Sequence, residues 1–409
     1  MASNERKSFI VTFKPKDQRQ DTKKDKVEIL RSVVKADLHP IDTANLPPGG
    51  GLPAGVPPES LVLDINTYEA PIVTVFLTSK EAAALRSNPN VETVEEDGEF
   101  RALGFGPRLS ELQVEGHPSP LIETIPAGVA QIKAPAAWDS TRGKGVKVAV
   151  LDSGIDFIHP DLAANYKGGV SFVKEEPTPM DGNGHGTHCA GTIAAAMNGA
   201  GIVGVAPAAY LYAVKVVSSS LRGEWSWLIS GINWCIANGI KVLNMSLGNA
   251  NPPKALERMC HTAWNRGLLL VAAAGNGDST PDSILFPAKY STVIAVSAID
   301  SANVITTGSS RGSEIELCAP GVNVLSTSPG GSYATGGGTS AACPHVSGAA
   351  ALAWGSHRYQ TNGVIRRLLA WTADNLGVPG RDPLYGYGRV DAEQAAFEFT
   401  VPPPNPGIP

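Results

Sequence analysis

Five short runs of Val, Ile, Leu and Ala residues occupy the central part of the chain, and helix-like stretches separate them. The runs are VKVAVL from residue 146, LYAVKVV from 211, KVLNMSL from 241, LLLVAAAG from 268 and TVIAVSAI from 292. Strands without regular polar alternation are buried on both faces, and they occur mainly in parallel sheets that helices cover on both sides. We therefore expect an α/β fold with a mainly parallel sheet.

The size, charge and hydropathy of the chain exclude several classes of protein. Its 409 residues exceed the usual domain size of about 100 to 200, so two domains are expected. With 33 Lys and Arg against 38 Asp and Glu, the formal charge is −5, and nucleic acid is not an expected partner. The longest apolar run, Leu268 to Ala274, is far shorter than the roughly 20 residues of a membrane span, so no membrane partner is expected either.

The N-terminus contains no apolar segment of about 7 to 15 residues, and we therefore expect no secretion signal in this chain. The compartment stays open between secreted and intracellular. The five cysteines are widely spaced, and their odd number leaves at least one free thiol in a monomer.

Gly and Pro residues mark a domain boundary near residue 104. We expect a small α+β domain (1–103), a linker or N-terminal extension (104–124), the α/β domain (125–399) and a Pro-rich tail (400–409). In the first domain, local patterns predict strands at 8–13, 61–65, 72–77 and 91–95 and helices at 21–35 and from Ser79. The Gly- and Pro-rich segment 46–58 is expected to be a long mobile loop.

A carboxylate follows the first apolar run, at Asp152, and Ser153 and Gly154 come next. An apolar strand that ends in a carboxylate places the charge at the carboxyl edge of the sheet, where open α/β folds build active sites. A turn or a helix cap would equally explain an aspartate at this position.

A second glycine-flanked segment is DGNGHGTHCAG, residues 181–191, in which His185 lies between two glycines. The glycines allow a tight turn before a buried helix. A solvated histidine in a glycine loop would give the same pattern, and His188 is expected to be a hydrogen-bonded core residue. A zinc site at Cys189 is not favoured, because no second cysteine is near in sequence.

The third segment is GGGTSAACPHVSG, residues 336–348, which places Ser340 in the first turn of a helix. Backbone N–H groups and the helix dipole at that end would stabilise a developing oxyanion. Taken alone, a serine here is adequately explained as a helix cap.

Together the three segments supply the carboxylate, imidazole and hydroxyl that nucleophilic serine catalysis requires. The chain resembles the subtilisin family of serine proteases in the order Asp152, His185, Ser340 and in its motifs. These motifs are VAVLDSGID, HGTHCAGT, GVAPAAYLYAVKV, NMSLG, VAAAGN, FPAKY and GTSAACPHVSG, and they lie between about Ile125 and Ala396. The resemblance implies a three-layer subtilisin-like domain and a serine endopeptidase of broad specificity.

By resemblance, each site residue has an expected role. Asp152 orients the imidazole, His185 is general base and then general acid, and Ser340 attacks the scissile carbonyl. Asn276 matches the oxyanion asparagine, whose loss in subtilisin lowers kcat by about 10²- to 10³-fold. The backbone N–H of Ser340, together with Thr339, is expected to complete the oxyanion hole.

The resemblance also implies how protein or peptide substrates bind, by backbone pairing between two extended edges. One edge is Ser246, Leu247 and Gly248, and the other is Ser220 to Gly223, which includes Arg222 and Gly223. The pocket for the residue before the cut is expected to be lined by Ala273, Gly275 and Leu285. Trp225 is expected to form the floor of the pocket for the residue three positions upstream.

Residues 1–103 resemble the inhibitory propeptide of secreted subtilisins, a small ferredoxin-like α+β domain, and VETVEEDGEFRAL matches its closing segment. The expected self-processing cut lies between Leu103 and Gly104. The propeptide is then expected to stay bound as an inhibitor of a monomeric enzyme. Segment 46–58 is the expected place of the second cut, because it is expected to be open.

Many family members bind calcium, so a structural Ca²⁺ ion is expected near the start of the protease domain. Oxygen ligands in sufficient number suit this hard cation. The expected side-chain ligands are Glu123, Asp161 and Asn198, and the expected carbonyl ligands are those of Ala196, Ala200 and Ile202.

Two other classes of function compete with the protease. One is a non-catalytic α/β binding protein, and the other is a nucleotide-binding enzyme that uses Asp152. No Gly-x-Gly-x-x-Gly motif follows the strand at 146–151, and no phosphate-loop Gly-Lys-Ser/Thr is present. These absences make the nucleotide-binding alternative the weaker one.

Overall fold

The structure is a computed structural model, and it describes residues 5–18, 25–53, 55–66, 71–104, 122–277, 280 and 282–398. Most of the expected linker and the expected tail at 400–409 lie outside the described residues. We refer to residues 5–104 as the N-terminal unit and to residues 122–398 as the C-terminal unit. In the part of the chain that the structure describes, no helix is both long and apolar enough to cross a membrane.

The N-terminal unit is an α+β structure built on one five-stranded sheet. The strands follow the order β2-β3-β4-β1-β5, with β2 and β3 parallel and the other pairs antiparallel. Its elements are β1 (Lys7–Phe13), α1 (Lys26–Val33), β2 (His39–Asp42), β3 (Leu61–Asn66), β4 (Pro71–Leu77), α2 (Ser79–Arg86), β5 (Val91–Glu96) and β6 (Glu99–Ala102). The strands predicted at 8–13, 61–65, 72–77 and 91–95 and the helix from Ser79 are present.

Helix α1 is shorter than the predicted range of 21–35. It begins after Asp25, whose side chain caps the first turn together with Glu28. It ends at Val33, because Val34 is extended. Residues 21–24 lie outside the described part of the chain.

The C-terminal unit is built on a seven-stranded sheet in the order β15-β14-β13-β11-β7-β9-β8, and every neighbouring pair is parallel. Its strands are β7 (Lys147–Asp152), β8 (Tyr166–Ser171), β9 (Tyr210–Lys215), β10 (Arg222–Glu224), β11 (Val242–Met245), β12 (Leu247–Gly248), β13 (Leu269–Ala273), β14 (Val293–Ile299), β15 (Ile315–Pro320), β16 (Val324–Ser328) and β17 (Ser332–Gly336). Its helices are α3 (Ala127–Gln131), α4 (Ala134–Ala137), α5 (His185–Ala194), α6 (Trp225–Ala237), α7 (Lys254–Asn265), α8 (Thr339–Ser356), α9 (Asn362–Trp371) and α10 (Ala392–Phe397).

Alternate residues of the central strands bury against different helical layers. In β7, Val148 and Val150 pack in the cluster that contains α5, α8 and α9, whereas Ala149 and Leu151 pack in the cluster that contains α6 and α7. Both faces of the strand are therefore dry, which explains why its sequence lacks polar alternation. The predicted three-layer α/β architecture is confirmed.

Strand β6 leaves the sheet of the N-terminal unit. It lies between β10 and β12 of the C-terminal unit and pairs antiparallel with both. The remainder of the N-terminal unit packs against α6, since Ile10, Leu63 and Ile72 belong to the same buried cluster as Leu228 and Ile232 of that helix. This arrangement places the end of the N-terminal unit beside the carboxyl edge of the large sheet.

Candidate active site

Three element ends meet at the carboxyl edge of the large sheet. Asp152 is the last residue of β7, His185 is the first residue of α5, and Ser340 is the second residue of α8. Asn276 lies just beyond the end of β13. All of these positions were predicted from the sequence, and the fold gathers them because parallel strands end at the same edge.

Asp152 and His185 form a buried hydrogen-bonded pair. The Nδ1 atom of His185 lies 2.8 Å and 2.9 Å from the two carboxylate oxygens of Asp152. The side chain of Asp152 is 0% exposed and that of His185 is 1% exposed. The Ser153 N–H donates to Asp152 Oδ1 at 2.7 Å and so fixes the carboxylate as well. The pair can therefore hold the imidazole in one orientation and place its Nε2 atom toward the cleft.

Opposing effects set the protonation of His185. Burial alone would lower its pKa, but the charge of Asp152 and the hydrogen bond to it raise the pKa of His185 above its ordinary value. The carbonyl of Leu103, 3.2 Å from Nε2, adds to this increase. The contact with the N-terminal unit thus favours the imidazolium form.

The glycine-rich turn before His185 is held from the inside by Asp181. One carboxylate oxygen of Asp181 accepts the Gly184 N–H and the Ser153 hydroxyl, both at 2.9 Å. The Ser153 hydroxyl in turn accepts the Gly186 N–H at 3.0 Å. A Cβ atom on Gly186 would lie 2.1 Å from the Gly154 carbonyl oxygen, so this position requires glycine. The turn is therefore a buried scaffold for His185 and not a solvated loop.

His188 lies one turn further along α5 and points away from the cleft. Its Nε2 atom is 3.0 Å from the carbonyl oxygen of Val324, and burial lowers the pKa of His188 to about 3. The ring is therefore neutral at ordinary pH. This placement supports the structural role expected for it.

A hydrogen bond to the backbone carbonyl of Ser340 helps to fix this residue at the start of α8. Its carbonyl accepts the Ser246 hydroxyl at 2.9 Å. Its hydroxyl lies 3.4 Å from the Gly337 carbonyl oxygen. Gly338 has a φ of 86°, and a Cβ atom there would lie 2.7 Å from Asn276 Nδ2, which explains the glycine just before the helix.

Asn276 is oriented by Thr339. Its Oδ1 atom accepts the Thr339 N–H at 2.8 Å and the Thr339 hydroxyl at 2.9 Å. Its Nδ2 atom is thereby turned to donate, and it donates to the carbonyl of Gly104 at 3.1 Å. The expectation that Thr339 is itself a donor in the oxyanion hole is wrong for this structure, because both of its donors are used on Asn276. Thr339 positions the amide, a role that the sequence analysis missed.

The peptide that precedes Gly104 lies in the cleft as an added strand. Ala102 pairs with Leu247 and Arg101 pairs with Gly248 on one side. Arg101 and Phe100 pair with Arg222 and Gly223 on the other side. The Leu103 N–H donates to the Ser246 carbonyl at 2.9 Å. The two edges predicted for substrate pairing thus hold a peptide of the chain itself.

Two side chains of this peptide fill pockets. Phe100 is 0% exposed and lies against Trp225, with ring centroids 5.0 Å apart, where Trp225 was predicted to floor a pocket. Leu103 is 9% exposed and belongs to an apolar cluster that includes Ala273 and contacts Leu285. A Cβ atom on Gly275 would lie 3.1 Å from the Leu285 side chain, so these two residues adjoin as expected.

A comparison with known proteins agrees with this geometry. The model of the subtilase family matches residues 143–388. The chain belongs to the subtilase family. Subtilisin E of Bacillus subtilis (strain 168) is 44% identical over 324 residues, which cover 78% of this chain and 79% of that protein.

Two further relatives are also similar to this chain. Subtilisin of Bacillus pumilus is 48% identical over 278 residues, which cover 67% of this chain and 99% of that protein. An alkaline protease of Shouchella clausii is 44% identical over 326 residues, which cover 80% of this chain and 79% of that protein. This subtilase is accordingly a serine endopeptidase, a hydrolase that acts on peptide bonds.

The cysteines of the subtilase are reduced and buried. All five (Cys189, Cys235, Cys260, Cys318 and Cys343) are free. Among the described residues, the one group of three His, Cys, Asp or Glu side chains close enough to share a metal ion is Asp152, His185 and Cys189. Burial raises the pKa of the Cys189 thiol well above its ordinary value, so the thiol is protonated and a poor zinc ligand.

The six residues predicted to bind calcium also lie together. Asp161 is 1% exposed, and its Oδ1 atom lies 3.1 Å from Asn198 Nδ2. The Glu123 carboxylate accepts the backbone N–H groups of Asn198 and Gly199 at 2.6 Å and 2.8 Å. The Ile202 N–H donates to Asp161 Oδ2 at 2.9 Å. Loop 196–202 therefore wraps around the carboxylates of Glu123 and Asp161.

Proposed function

We propose that this subtilase is made as a self-processing zymogen of a broad-specificity endopeptidase. Residues 1–103 form the inhibitory propeptide, 104–124 the linker or N-terminal extension, 125–399 the protease domain and 400–409 the tail. The observation that carries the proposal is the position of β6, since the chain's own backbone occupies the cleft up to the catalytic groups.

Catalysis follows from the geometry of the site. The Ser340 hydroxyl adds to the scissile carbonyl carbon, and His185 Nε2 takes the hydroxyl proton as the C–O bond forms. The oxyanion receives hydrogen bonds from Asn276 Nδ2 and from the Ser340 N–H. The imidazolium, held by Asp152, then gives its proton to the leaving amine, and water hydrolyses the acyl-enzyme by the same steps.

Broad specificity follows from the way the cleft holds the peptide. The pairs with Leu247, Gly248 and Gly223 use backbone groups, which every residue except proline can provide. Selection is left to the pockets around Leu285 and Trp225, both of which are apolar. We expect apolar residues to be preferred at the cut and three positions upstream, on a background of low selectivity. Unfolded proteins are the expected substrates, since a substrate must be extended to pair on both sides.

The register supports a self-processing cut between Leu103 and Gly104. Leu103 donates its N–H to Ser246, the last pairing contact before the catalytic groups. Its carbonyl oxygen lies at His185 Nε2, however, whereas the Gly104 carbonyl oxygen lies at the Asn276 amide. A rotation that brings the Leu103 oxygen to Asn276 would free His185 to accept the Ser340 proton. The contact of the Leu103 carbonyl oxygen with His185 Nε2 supports an inhibited arrangement of the proposed zymogen.

The self-processing step is tested by the intact mass of the full chain after incubation. We expect cleavage of the bond between Leu103 and Gly104 to give two products. The rate should be independent of protein concentration, because the cut is intramolecular. The Ser340→Ala chain should keep a single mass. A cut far from residue 104 would contradict the register, and a rate that rises with concentration would contradict the intramolecular step.

We also propose a structural calcium ion at the cluster of Glu123, Asp161 and Asn198. The donor set fits, because two carboxylates, an amide oxygen and the carbonyls of Ala196, Ala200 and Ile202 are the hard oxygen ligands that Ca²⁺ takes. The amide of Asn198 would present its oxygen after a flip about its terminal bond. The ion would tie the start of the protease domain to loop 196–202, and its role would be stability.

A further inference from the structure

The Gly- and Pro-rich insertion of the N-terminal unit contacts the C-terminal unit far from the cleft. We name residues 43–53 the anchor segment. Segment 46–58 was expected to be a mobile loop open to proteolysis. That expectation is wrong for the anchor segment, which lies against the exposed edge of the large sheet.

The anchor segment extends the large sheet beyond its edge strand β8. The Gly49 N–H donates to the Gly169 carbonyl at 2.5 Å, and the Ser171 N–H donates to the Gly50 carbonyl at 3.0 Å. Gly51 forms a parallel bridge with Ser171. Two backbone groups at the edge of β8, the Gly169 carbonyl and the Ser171 N–H, are thus bonded to the anchor segment.

The close approach of the anchor segment to the C-terminal unit requires a glycine at position 51. A Cβ atom on Gly51 would lie 2.4 Å from the carbonyl oxygen of Pro177, which is backbone and cannot be displaced like a flexible side chain. Gly55 provides a contrast within the same insertion, because its φ is 81° but nothing lies within 4 Å of its Cβ position. The insertion is therefore fitted to the C-terminal unit at Gly51 and not at Gly55.

Side chains of the C-terminal unit hold the rest of the anchor segment. The Trp234 indole N–H donates to the Leu46 carbonyl at 3.0 Å, and the Asn233 amide donates to the Thr43 hydroxyl at 2.9 Å. Both donors belong to α6 and are buried. Leu52 is 5% exposed and belongs to the same apolar cluster as Phe172.

We propose that β8 and α6 form an exosite for the anchor segment, and that this exosite sets how long the cleaved propeptide inhibits the enzyme. The inference rests on the proposed self-processing. A cut after Leu103 leaves both the strand in the cleft and the anchor segment bound. When either the cleft contact or the anchor contact opens, the other one keeps the propeptide at a high effective concentration. Release therefore requires both contacts to be open at the same time. The anchor segment is also shielded from the second cut for as long as it is bound.

The experiment follows the latent period between self-processing and full turnover of a chromogenic peptide, using the full chain. Gly51→Ala should shorten the latent period by about tenfold or more, because the clash prevents pairing with β8. Trp234→Phe should shorten it by about threefold to tenfold, the effect of one lost hydrogen bond. Two matched controls should behave like the parent chain. They are Gly55→Ala, which carries backbone strain alone, and Trp138→Phe, which loses the hydrogen bond to the Val205 carbonyl inside the C-terminal unit.

Normal processing with an unchanged latent period in both anchor variants would overturn the exosite. Equal shortening by Gly51→Ala and Gly55→Ala would overturn it too, since the effect would then not depend on the contact between Gly51 and Pro177. If no chain is processed, the proposed self-processing fails, and the exosite is then judged by amide hydrogen exchange of Ser171 in the Ser340→Ala chain. The pairing is supported if Gly51→Ala removes the protection of the Ser171 amide and Gly55→Ala keeps it. Equal exchange of this amide in the two variants would contradict the pairing.

Discussion

The N-terminal unit adds backbone to the C-terminal unit at two places, and only one of them faces catalytic groups. In the cleft, β6 pairs with β10 and β12 and ends at His185 and Asn276. At the sheet edge, the anchor segment pairs with β8, the edge strand of the large sheet. Backbone hydrogen bonds thus bind a substrate-like peptide in the cleft. The same kind of hydrogen bond binds a peptide away from the catalytic groups at the sheet edge. The two places differ in that only the cleft contains the catalytic triad.

Removing the nucleophile should abolish turnover and leave both contacts intact. Ser340→Ala is expected to lower kcat by about 10⁶-fold, the loss that removal of the nucleophile causes in subtilisin. The chain should remain uncut and folded, because one hydroxyl at a helix start contributes little volume. The measurement is turnover of an unfolded protein, together with a melting curve.

Ser347→Ala is the matched control for that experiment. Ser347 lies in the same helix, and its hydroxyl donates to Asn244 Oδ1 at 2.9 Å in the core. It should lower the melting temperature and keep kcat. Equal loss of turnover in both variants would show that α8 acts through stability and not through Ser340.

Loss of the oxyanion donor should weaken catalysis in the cleft without weakening binding there. Asn276→Ala is expected to lower kcat by about 10²- to 10³-fold, as in subtilisin, with KM nearly unchanged, because the amide stabilises charge that develops only in the transition state. Steady-state kinetics on a peptide substrate measure both constants. A rise in KM with kcat unchanged would place Asn276 in substrate binding instead.

The interface between the two units should weaken as pH rises. Burial first, and then the charges of Asp97, Glu175 and Glu99, raise the pKa of Glu224 to about 7, and burial also raises the pKa of Asp97. A carboxyl group with a raised pKa holds its proton in the complex, so the complex loses stability as pH rises from about 4.5 to about 7 and then levels off. We expect release of the processed propeptide to accelerate across that window.

Glu224→Gln tests the origin of that pH dependence. The amide keeps the shape and cannot ionise, so release should vary less between pH 5 and pH 7 than in the parent chain. A pH profile that the substitution leaves unchanged would assign the dependence to other groups, with Asp97 as the next to test.

Removal of calcium should have the smallest effect and should spare the chemistry. A chelator in excess is expected to lower the melting temperature by several degrees, because an ion that binds only the folded state stabilises it by mass action. Asp161→Asn should lower the melting temperature and make it insensitive to added Ca²⁺. A parent chain whose melting temperature ignores both chelator and Ca²⁺ would contradict the site.

The sequence predicts those parts of the structure that depend on local side-chain patterns. The five apolar runs became β7, β9, β11, β13 and β14, because strands buried on both faces need continuous apolar residues. The edge strand β8, YKGGVS, was missed, since its glycines and polar residues carry no such pattern. The order of the strands in the large sheet could not be predicted from the sequence either, because it depends on which helices cover which face.

At the site, the motifs predicted which residues meet and did not predict how they are held. Asp152, His185 and Ser340 were found because each lies in a glycine-flanked segment, and Asn276 was found through the resemblance to the subtilisin family. The positioning role of Thr339 depends on a hydrogen bond between segments 63 residues apart. The contact of the anchor segment with β8 uses backbone groups, which leave no mark in the sequence other than the glycine at position 51.

The central claim is that Ser340 is a nucleophile activated by His185, and a covalent serine-directed phosphonate probe tests it most directly. After processing and propeptide release, we expect one adduct per chain, located at Ser340 by peptide mass spectrometry. The adduct should form at the parent rate in His188→Ala. His185→Ala should stay unprocessed, and its adduct should form at a strongly reduced rate. An adduct on another serine, or a Ser340 adduct that forms equally fast without His185, would contradict the account.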